Sequence, residues 1–203
     1  MRNTNITSYD KTIETFTKIY RPKSLIGIKK IFRSAKKNNE KISFRGNGQS
    51  YGDQPFITSN ITISNTQLNK ILDLNRKKSI VEVQSGIFLK NLSKFLSKYK
   101  YRIKCIPGND NITIGGAVSN NVHGKNALHQ GYIGEHVKFF KIILADNNEY
   151  YCSREQNKEL FYSVISGLGL IGIIIEVSLQ LMKVPSYFVA GKMSRHGSFR
   201  ALV

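Results

Sequence analysis

Cysteine is scarce here: two residues, Cys105 and Cys152, in a chain of 203. They are too few for a disulfide framework, are not spaced as a metal site, and read as reduced thiols of a cytoplasmic protein. The histidines other than His123, namely His129, His136 and His196, lack metal-ligand spacing, so no metal is expected. The G-x-x-x-x-G-K-[ST] pattern is missing, which leaves a nucleoside-triphosphatase P-loop unsupported. Residues 1–10 are polar, with no charged-then-apolar leader, so no signal peptide is expected. The longest apolar stretch, 164–182, is interrupted by Glu176, Gln180 and glycines, and its second half reads as a buried strand rather than a bilayer span. At most a peripheral position at the inner face of the membrane is expected.

Acidic residues are also few, 13 against 31 Lys and Arg, for a net charge of +18. That excess invites a nucleic-acid reading, because dense cations neutralise phosphates. Two features weigh against it. Lys, Asn and Ile are abundant together, as in an AT-rich coding sequence, and the lysines (29, 30, 36, 37, 77, 78, 94 and 98) are scattered over helix faces and turns. A solvated basic surface is the simpler reading, and no nucleic-acid partner is expected. A nucleic-acid-binding module without flavin stays as an alternative. The charge also suits an anionic membrane surface or a phosphorylated substrate.

A chain of this length forms one domain, or two small lobes sharing an interface, and buries roughly 70% of its unfolded surface. Residues 1–20 read as a loose N-terminal extension. Pro22 opens a helical pattern with Leu25, Ile26, Ile28, Ile31 and Phe32 apolar, ending near residues 38–40. Residues 42–44, 61–63, 71–74 and 79–83 read as short strands. A second helix starts at Gly86, with Leu89, Leu92, Phe95 and Leu96 on one face. Residues 137–144 and 149–152 form a hairpin pattern, followed by a helix near 155–165 and a strand at 171–181. The class is α+β with two lobes, divided at about residue 105.

Two glycine-rich segments carry the chemistry. The first, 45-RGNGQSYGD-53, follows a short strand and allows a sharp turn that points several N–H groups at one anion. The second, 113-TIGGAVSNNVHGKN-126, pairs Gly115 with Gly116 ahead of His123 and Lys125. Two such elements point to a large phosphate-bearing cofactor held at two places. Together with 107-PGN-109, 134-GEHV-137 and 167-GLGLIGIIIE-176, in that order over residues 18–184, they resemble the vanillyl-alcohol oxidase / p-cresol methylhydroxylase (PCMH) type of flavoproteins. The resemblance is strongest to the decaprenylphosphoryl-β-D-ribose 2'-oxidase-like branch.

The resemblance implies a two-lobed PCMH-type FAD-binding domain over 21–184 with FAD between the lobes. It places the pyrophosphate at Arg45, Gly46, Asn47, Gly48, Gln49, Ser50, Tyr51 and Gly52. It places the ribityl chain and ring along Gly108, Thr113, Ile114, Gly115, Gly116, Asn120, Asn121, Val122, His123 and Ile174. Amides arranged in this way favour an anion by roughly 0.3–2 kcal/mol. Covalent members often carry His where Gln49 stands, and an amide nitrogen is not nucleophilic, so non-covalent FAD is expected. The implied activity is oxidation of a hydroxyl of a sugar or polyprenyl-phosphate sugar, with hydride passing to flavin N5. A sugar-lactone (aldonolactone-type) oxidase is the alternative. No proton-abstracting residue is assigned; His123, Lys125 and Tyr51 are the nearest candidates, and Tyr51 reads equally as packing or as a substrate contact. Implied partners are the sugar or lipid-linked sugar, a short-chain reductase, or a separate C-terminal half. The resemblance fades after about Pro185. Residues 185–203 read as the truncated start of a substrate domain or an aberrant tail, the substrate domain being expected absent and a fragment or frameshift product the favoured reading.

Overall fold

The computed structural model describes residues 3–201 apart from 57, 59 and 189. The fold is α+β, built on two sheets. The first takes β1 (Thr4–Thr7), β2 (Glu14–Tyr20), β3 (Ile42–Arg45) and β4 (Ile61–Ser64) in the order β1-β2-β4-β3. Strands β2, β4 and β3 run parallel, and β1 is antiparallel to β2. Helix α1 (Leu25–Lys37) begins where Ser24 Oγ accepts the Gly27 N–H at 3.2 Å and ends with Lys36 and Lys37 near its negative pole.

Alternation in 61-ITIS-64 sets what each face of this sheet does. Ile61 and Ile63 join Ile28, Phe32 and Ala35 of α1 in a small apolar core. Thr62, between them, is buried among hydroxyls: its Oγ1 lies 3.0 Å from Thr17 Oγ1 and 2.9 Å from Ser43 Oγ. Adjacent strands are thus linked by side-chain hydrogen bonds as well as by backbone pairing.

The second sheet is antiparallel. It contains β5 (Ile71–Asn75), β6 (Ile80–Gln84), β8 (Val137–Ile143), β9 (Glu149–Ser153) and β10 (Ile173–Lys183), ordered β5-β6-β10-β8-β9, with β7 (Tyr101–Ile103) pairing the far end of β10. Helices α2 (Leu89–Ser97), α3 (Ile114–Ser119), α4 (Ala127–Gln130), α5 (Ile133–His136) and α6 (Lys158–Val164) complete the fold. Leu89, Leu92, Leu96, Ile114, Phe140, Phe161, Val177 and Leu179 belong to its larger core. Strand β10 serves both cores: Ile173 and Ile175 pack in the small one, Ile174 and Val177 in the large one. No helix among the described residues is long and apolar enough to cross a membrane.

Three readings of the sequence are corrected. Residues 1–20 are not a loose extension but carry β1 and β2, whose threonine-rich alternation offers little apolar periodicity. The division between the sheets falls between β4 and β5, not near residue 105, because β6 pairs with β10 far along the chain. The second helix starts at Leu89 rather than Gly86. A Cβ at Gly86 would lie 1.9 Å from the Asn65 carbonyl oxygen, so this glycine serves a close approach of two backbones. Residues 185–198 form no regular element among the described positions, and a short 3₁₀ turn follows at Phe199–Ala201.

Candidate functional site

The first glycine turn leaves β3 at the carboxyl ends of the parallel strands, where a ligand meets the sheet without blocking its pairing. It faces α3 and the start of β10 across a cleft. One section, with about 570 Å³ of empty space, is lined by Phe44, Arg45, Ile63, Asn65, Gly115, Ser119, the 168–169 loop and Ile174. The adjoining section, about 830 Å³, is lined by Asn47, Gln49, Tyr51, Gly52, Gln54, Ile112, Thr113 and Val122. Gly46, Gly48, Ser50, Gly116 and Asn120 border both, so the two sections are continuous.

The two glycine elements differ in what they offer. Among the described residues, no protein acceptor partners the backbone N–H groups of residues 46–52. These amides are free to receive an anion. In α3 the corresponding donors are used: Ile114 N–H bonds the Ile87 carbonyl at 2.9 Å, Gly115 N–H the Ser85 carbonyl at 2.7 Å, and Gly116 N–H Thr113 Oγ1 at 3.2 Å. That element contributes room. A Cβ on Gly116 would meet only Thr113 Oγ1, at 3.1 Å, with the cleft beyond it.

Arg45 supplies positive charge beneath the turn. Its Nη2 donates to the Thr7 carbonyl at 2.9 Å, its guanidinium lies 5.5 Å from the Phe56 ring centre, and Gly48, at φ +67°, covers it. A side chain at Gly48 would collide with Nη2. Burial, helped by the nearby positive charge of Arg21, lowers the Arg45 pKa. Its Nη1 is buried without a hydrogen-bond partner among the described residues. A buried cationic donor left unpaired is costly.

Asn65, absent from the sequence reading, forms the opposite kind of feature. Ser85 Oγ donates its single proton to the Ile174 carbonyl at 2.5 Å, so it must accept from Asn65 Nδ2 at 3.0 Å. This fixes the amide orientation and leaves Asn65 Oδ1 buried and without a partner among the described residues; Asn65 itself is one of the residues lining the cleft. Two of the residues that line the cleft, Arg45 and Asn65, thus carry a buried donor and a buried acceptor without partners among the described residues. The loop over this section holds Ser166 at φ 68° and Leu168 at φ 54°, left-handed conformations uncommon outside glycine.

Of the residues expected at the site, Arg45 through Gly52, Thr113, Gly115, Gly116, Asn120, Val122 and Ile174 line the cleft. The others lie elsewhere. Ile114 is fully buried in the larger core. Asn121 turns its Oδ1 to the Gly134 N–H at 3.0 Å. His123 is exposed, its ring 5.5 Å from that of Tyr132. Gly108 and Lys125 border a separate depression with Arg102, Ile106, Pro107 and Asn126. The HGKN segment follows the cleft in sequence, but α3 ends at Ser119 and the chain turns away. Besides Asn65, sequence reasoning missed Ser119, Gln54 and the 168–169 loop; the glycines of 167-GLGLIG-172 were the signal for the last.

A glycine turn set across a cleft from the glycine pair of a short helix, between two sheets, has the form of a nucleotide-cofactor-binding domain. The chain belongs to the FAD binding domain family, whose sequence model matches residues 17–153. It is 27% identical over 165 residues to decaprenylphosphoryl-beta-D-ribose oxidase of Mycolicibacterium smegmatis, covering 80% of this chain and 36% of that protein. It is 30% identical over 180 residues to a putative D-arabinono-1,4-lactone oxidase of Neurospora crassa, covering 88% and 32%. To L-gulonolactone oxidase of Mus musculus it is 27% identical over 161 residues, covering 79% and 36%. The chain thus spans about a third of the length of these relatives.

Proposed function

We propose that the chain holds FAD without a covalent bond, as the flavin-binding part of an oxidoreductase acting on a hydroxyl of a sugar or polyprenyl-phosphate sugar. The observation that carries this reading is the glycine turn 46–52, whose amides have no acceptor among the described residues and whose residues line the cleft with Gly116. The diphosphate would take the amides of 46–50, the Ser50 hydroxyl and Arg45 Nη1. Asn65 Oδ1 would accept from a hydroxyl or amino group of the nucleotide. Phe44, Ile63 and Ile174 give this section an apolar wall that keeps water from those polar contacts. A bound flavin supplies a two-electron hydride acceptor.

Attachment without a covalent bond is supported by two local facts. Gln49 stands in the turn, and its Oε1 accepts from Asn109 Nδ2 at 2.6 Å, which fixes the amide. Cys105 is fully buried, donates to the Val122 carbonyl at 3.2 Å, and burial raises its pKa, so it stays a thiol rather than a nucleophilic thiolate. Among the described residues that line the cleft there is no carboxylate or imidazole. The acceptor for the substrate hydroxyl proton is therefore assigned to substrate-side residues outside it.

Oxidation of a sugar lactone is the second reading, favoured by the names of two of the three relatives described above. Single-turnover bleaching of the bound flavin by a sugar alcohol or by an aldonolactone separates the two. The first test is the visible spectrum of the purified chain, with and without added FAD, followed by acid precipitation. A yellow protein that releases its colour into the supernatant is expected. Colour retained in the pellet would overturn the non-covalent assignment, and a chain that ignores FAD would overturn the flavin site itself.

A further inference from the structure

The turn that faces the cleft is held mostly from outside. Within residues 46–52 the side chains and backbone form one hydrogen bond, from Gln49 Nε2 to the Asn47 carbonyl at 3.3 Å, among the described residues. On the side of the second glycine element, Asn47 Nδ2 bonds the Asn111 carbonyl at 2.8 Å and Asn109 bonds Gln49. On the opposite side the contacts come from the β1–β2 hairpin. Tyr9 N–H donates to the Ser50 carbonyl at 3.1 Å, and the Tyr9 ring meets the Tyr51 ring edge-on at 5.4 Å. Thr7 supplies the carbonyl that anchors Arg45.

The hairpin tip that presents Tyr9 is itself tightly tied. Ser8 N–H bonds the Ile13 carbonyl at 2.8 Å, and Ile13 N–H bonds Ser8 Oγ at 3.1 Å. The Asp10 carboxylate accepts from Ser8 Oγ at 2.6 Å and from Thr12 Oγ1 at 2.9 Å. Lys11 takes the left-handed φ of 62° that closes the turn. A rigid tip thus presses on a segment whose three glycines give it little stiffness of its own. Most of the hairpin precedes residue 17, where the match to the family begins.

We infer that the N-terminal hairpin, through Tyr9 and Thr7, positions the 46–52 turn for its anion, so that cofactor affinity depends on residues before the family core. This rests on the FAD reading given above. Preorganisation of this kind acts by lowering the ordering cost at the moment of binding. Tyr9 and Thr7 are positioning residues: they act on the ligand through Ser50, Tyr51 and Arg45.

The test compares the 203-residue chain with Tyr9→Ala and Tyr9→Phe. FAD affinity is read from quenching of flavin fluorescence, and the order of the ligand-free turn from ¹⁵N relaxation of residues 46–52. Tyr9 is 48% exposed, so its truncation leaves the fold intact, which the Tm checks. Tyr9→Ala should weaken FAD binding about tenfold and drop the turn's order parameters from about 0.85 toward 0.6, with Tm nearly unchanged and Tyr9→Phe restoring both. Unchanged affinity and order in Tyr9→Ala would overturn the inference. Should the parent chain bind no FAD, the flavin reading fails, and the order parameters alone decide whether the hairpin positions the turn.

Discussion

At the scale of single residues, adjacent glycines in α3 separate stability from binding. A Cβ on Gly115 would lie 2.9 Å from Ser85 Cβ and 3.0 Å from Asn65 Nδ2, inside packed structure. Gly115→Ala should therefore cost about 1–3 kcal/mol in urea unfolding, as overpacking does. Gly116 points its missing side chain at the cleft, so Gly116→Leu should fold with a Tm close to that of the parent yet bind FAD at least about tenfold more weakly. Equal loss of stability in both variants would remove the distinction. Arg45→Met keeps the stem beneath Gly48 and removes the guanidinium. It should weaken FAD binding by about 2 kcal/mol, the usual loss of a hydrogen bond to a charged group, measured by the same titration.

At the scale of elements, the α1 cap gives a plain expectation. Ser24→Ala should lower stability by about 1 kcal/mol without touching FAD affinity, since Ser24 caps α1 and is not among the residues that line the cleft. This helix was legible in the sequence because Leu25, Ile28, Phe32 and Ala35 repeat at helical spacing; Ile26, counted with them there, is 68% exposed. The glycine turn was equally legible, being a local pattern of few residues. The hairpin was not. Strand β2 is stabilised by threonine hydroxyls (Thr15 to Thr58, Thr17 to Thr62) and by pairing with β4, and β1 by pairing with β2; none of these leaves an apolar alternation to read. Asn65 escaped for a related reason. Its importance comes from Ser85 and Ile174, distant in sequence, which fix its amide and leave its oxygen buried without a partner among the described residues. His123 and Lys125 show the converse: they follow Gly116 closely in sequence, yet neither is among the residues that line the cleft.

At the scale of the whole molecule, charge dominates. Against a net charge of +18, the ion pairs among the described residues are Lys18–Glu40 at 2.6 Å and Lys141–Glu176 at 2.8 Å. Self-repulsion of the remaining cations should make the chain more stable as salt rises from about 0.01 to 0.15 M, where the screening length shrinks from about 30 to 8 Å. A Tm that falls over that range would count against it. One histidine adds a pH dependence. Burial lowers the His136 pKa, opposed by its 2.6 Å hydrogen bond to the Gln130 carbonyl, with the Lys104 and Arg154 charges lowering it further. Its folded value thus lies below the unfolded value of about 6.5. As pH falls through that value the unfolded chain takes the proton first, so stability declines from neutral toward acid. Urea midpoints at pH 7.5 and 5.5 should show the drop, and His136→Gln should reduce it.

Strand β10 bears on how the protein is made. Its alternate side chains close two cores, and its edges pair β6, β7 and β8, yet it follows every one of those strands in the chain. A ribosome delivers the β5–β6 hairpin and the β8–β9 hairpin well before the strand that joins them. Until residues 173–183 emerge, the apolar faces of both sheets wait uncovered, and the nascent chain is an open set of hairpins that chaperones can bind. Folding should therefore come late and nearly all at once. Arrest peptides placed progressively along the chain should register little pulling force until β10 has cleared the exit tunnel.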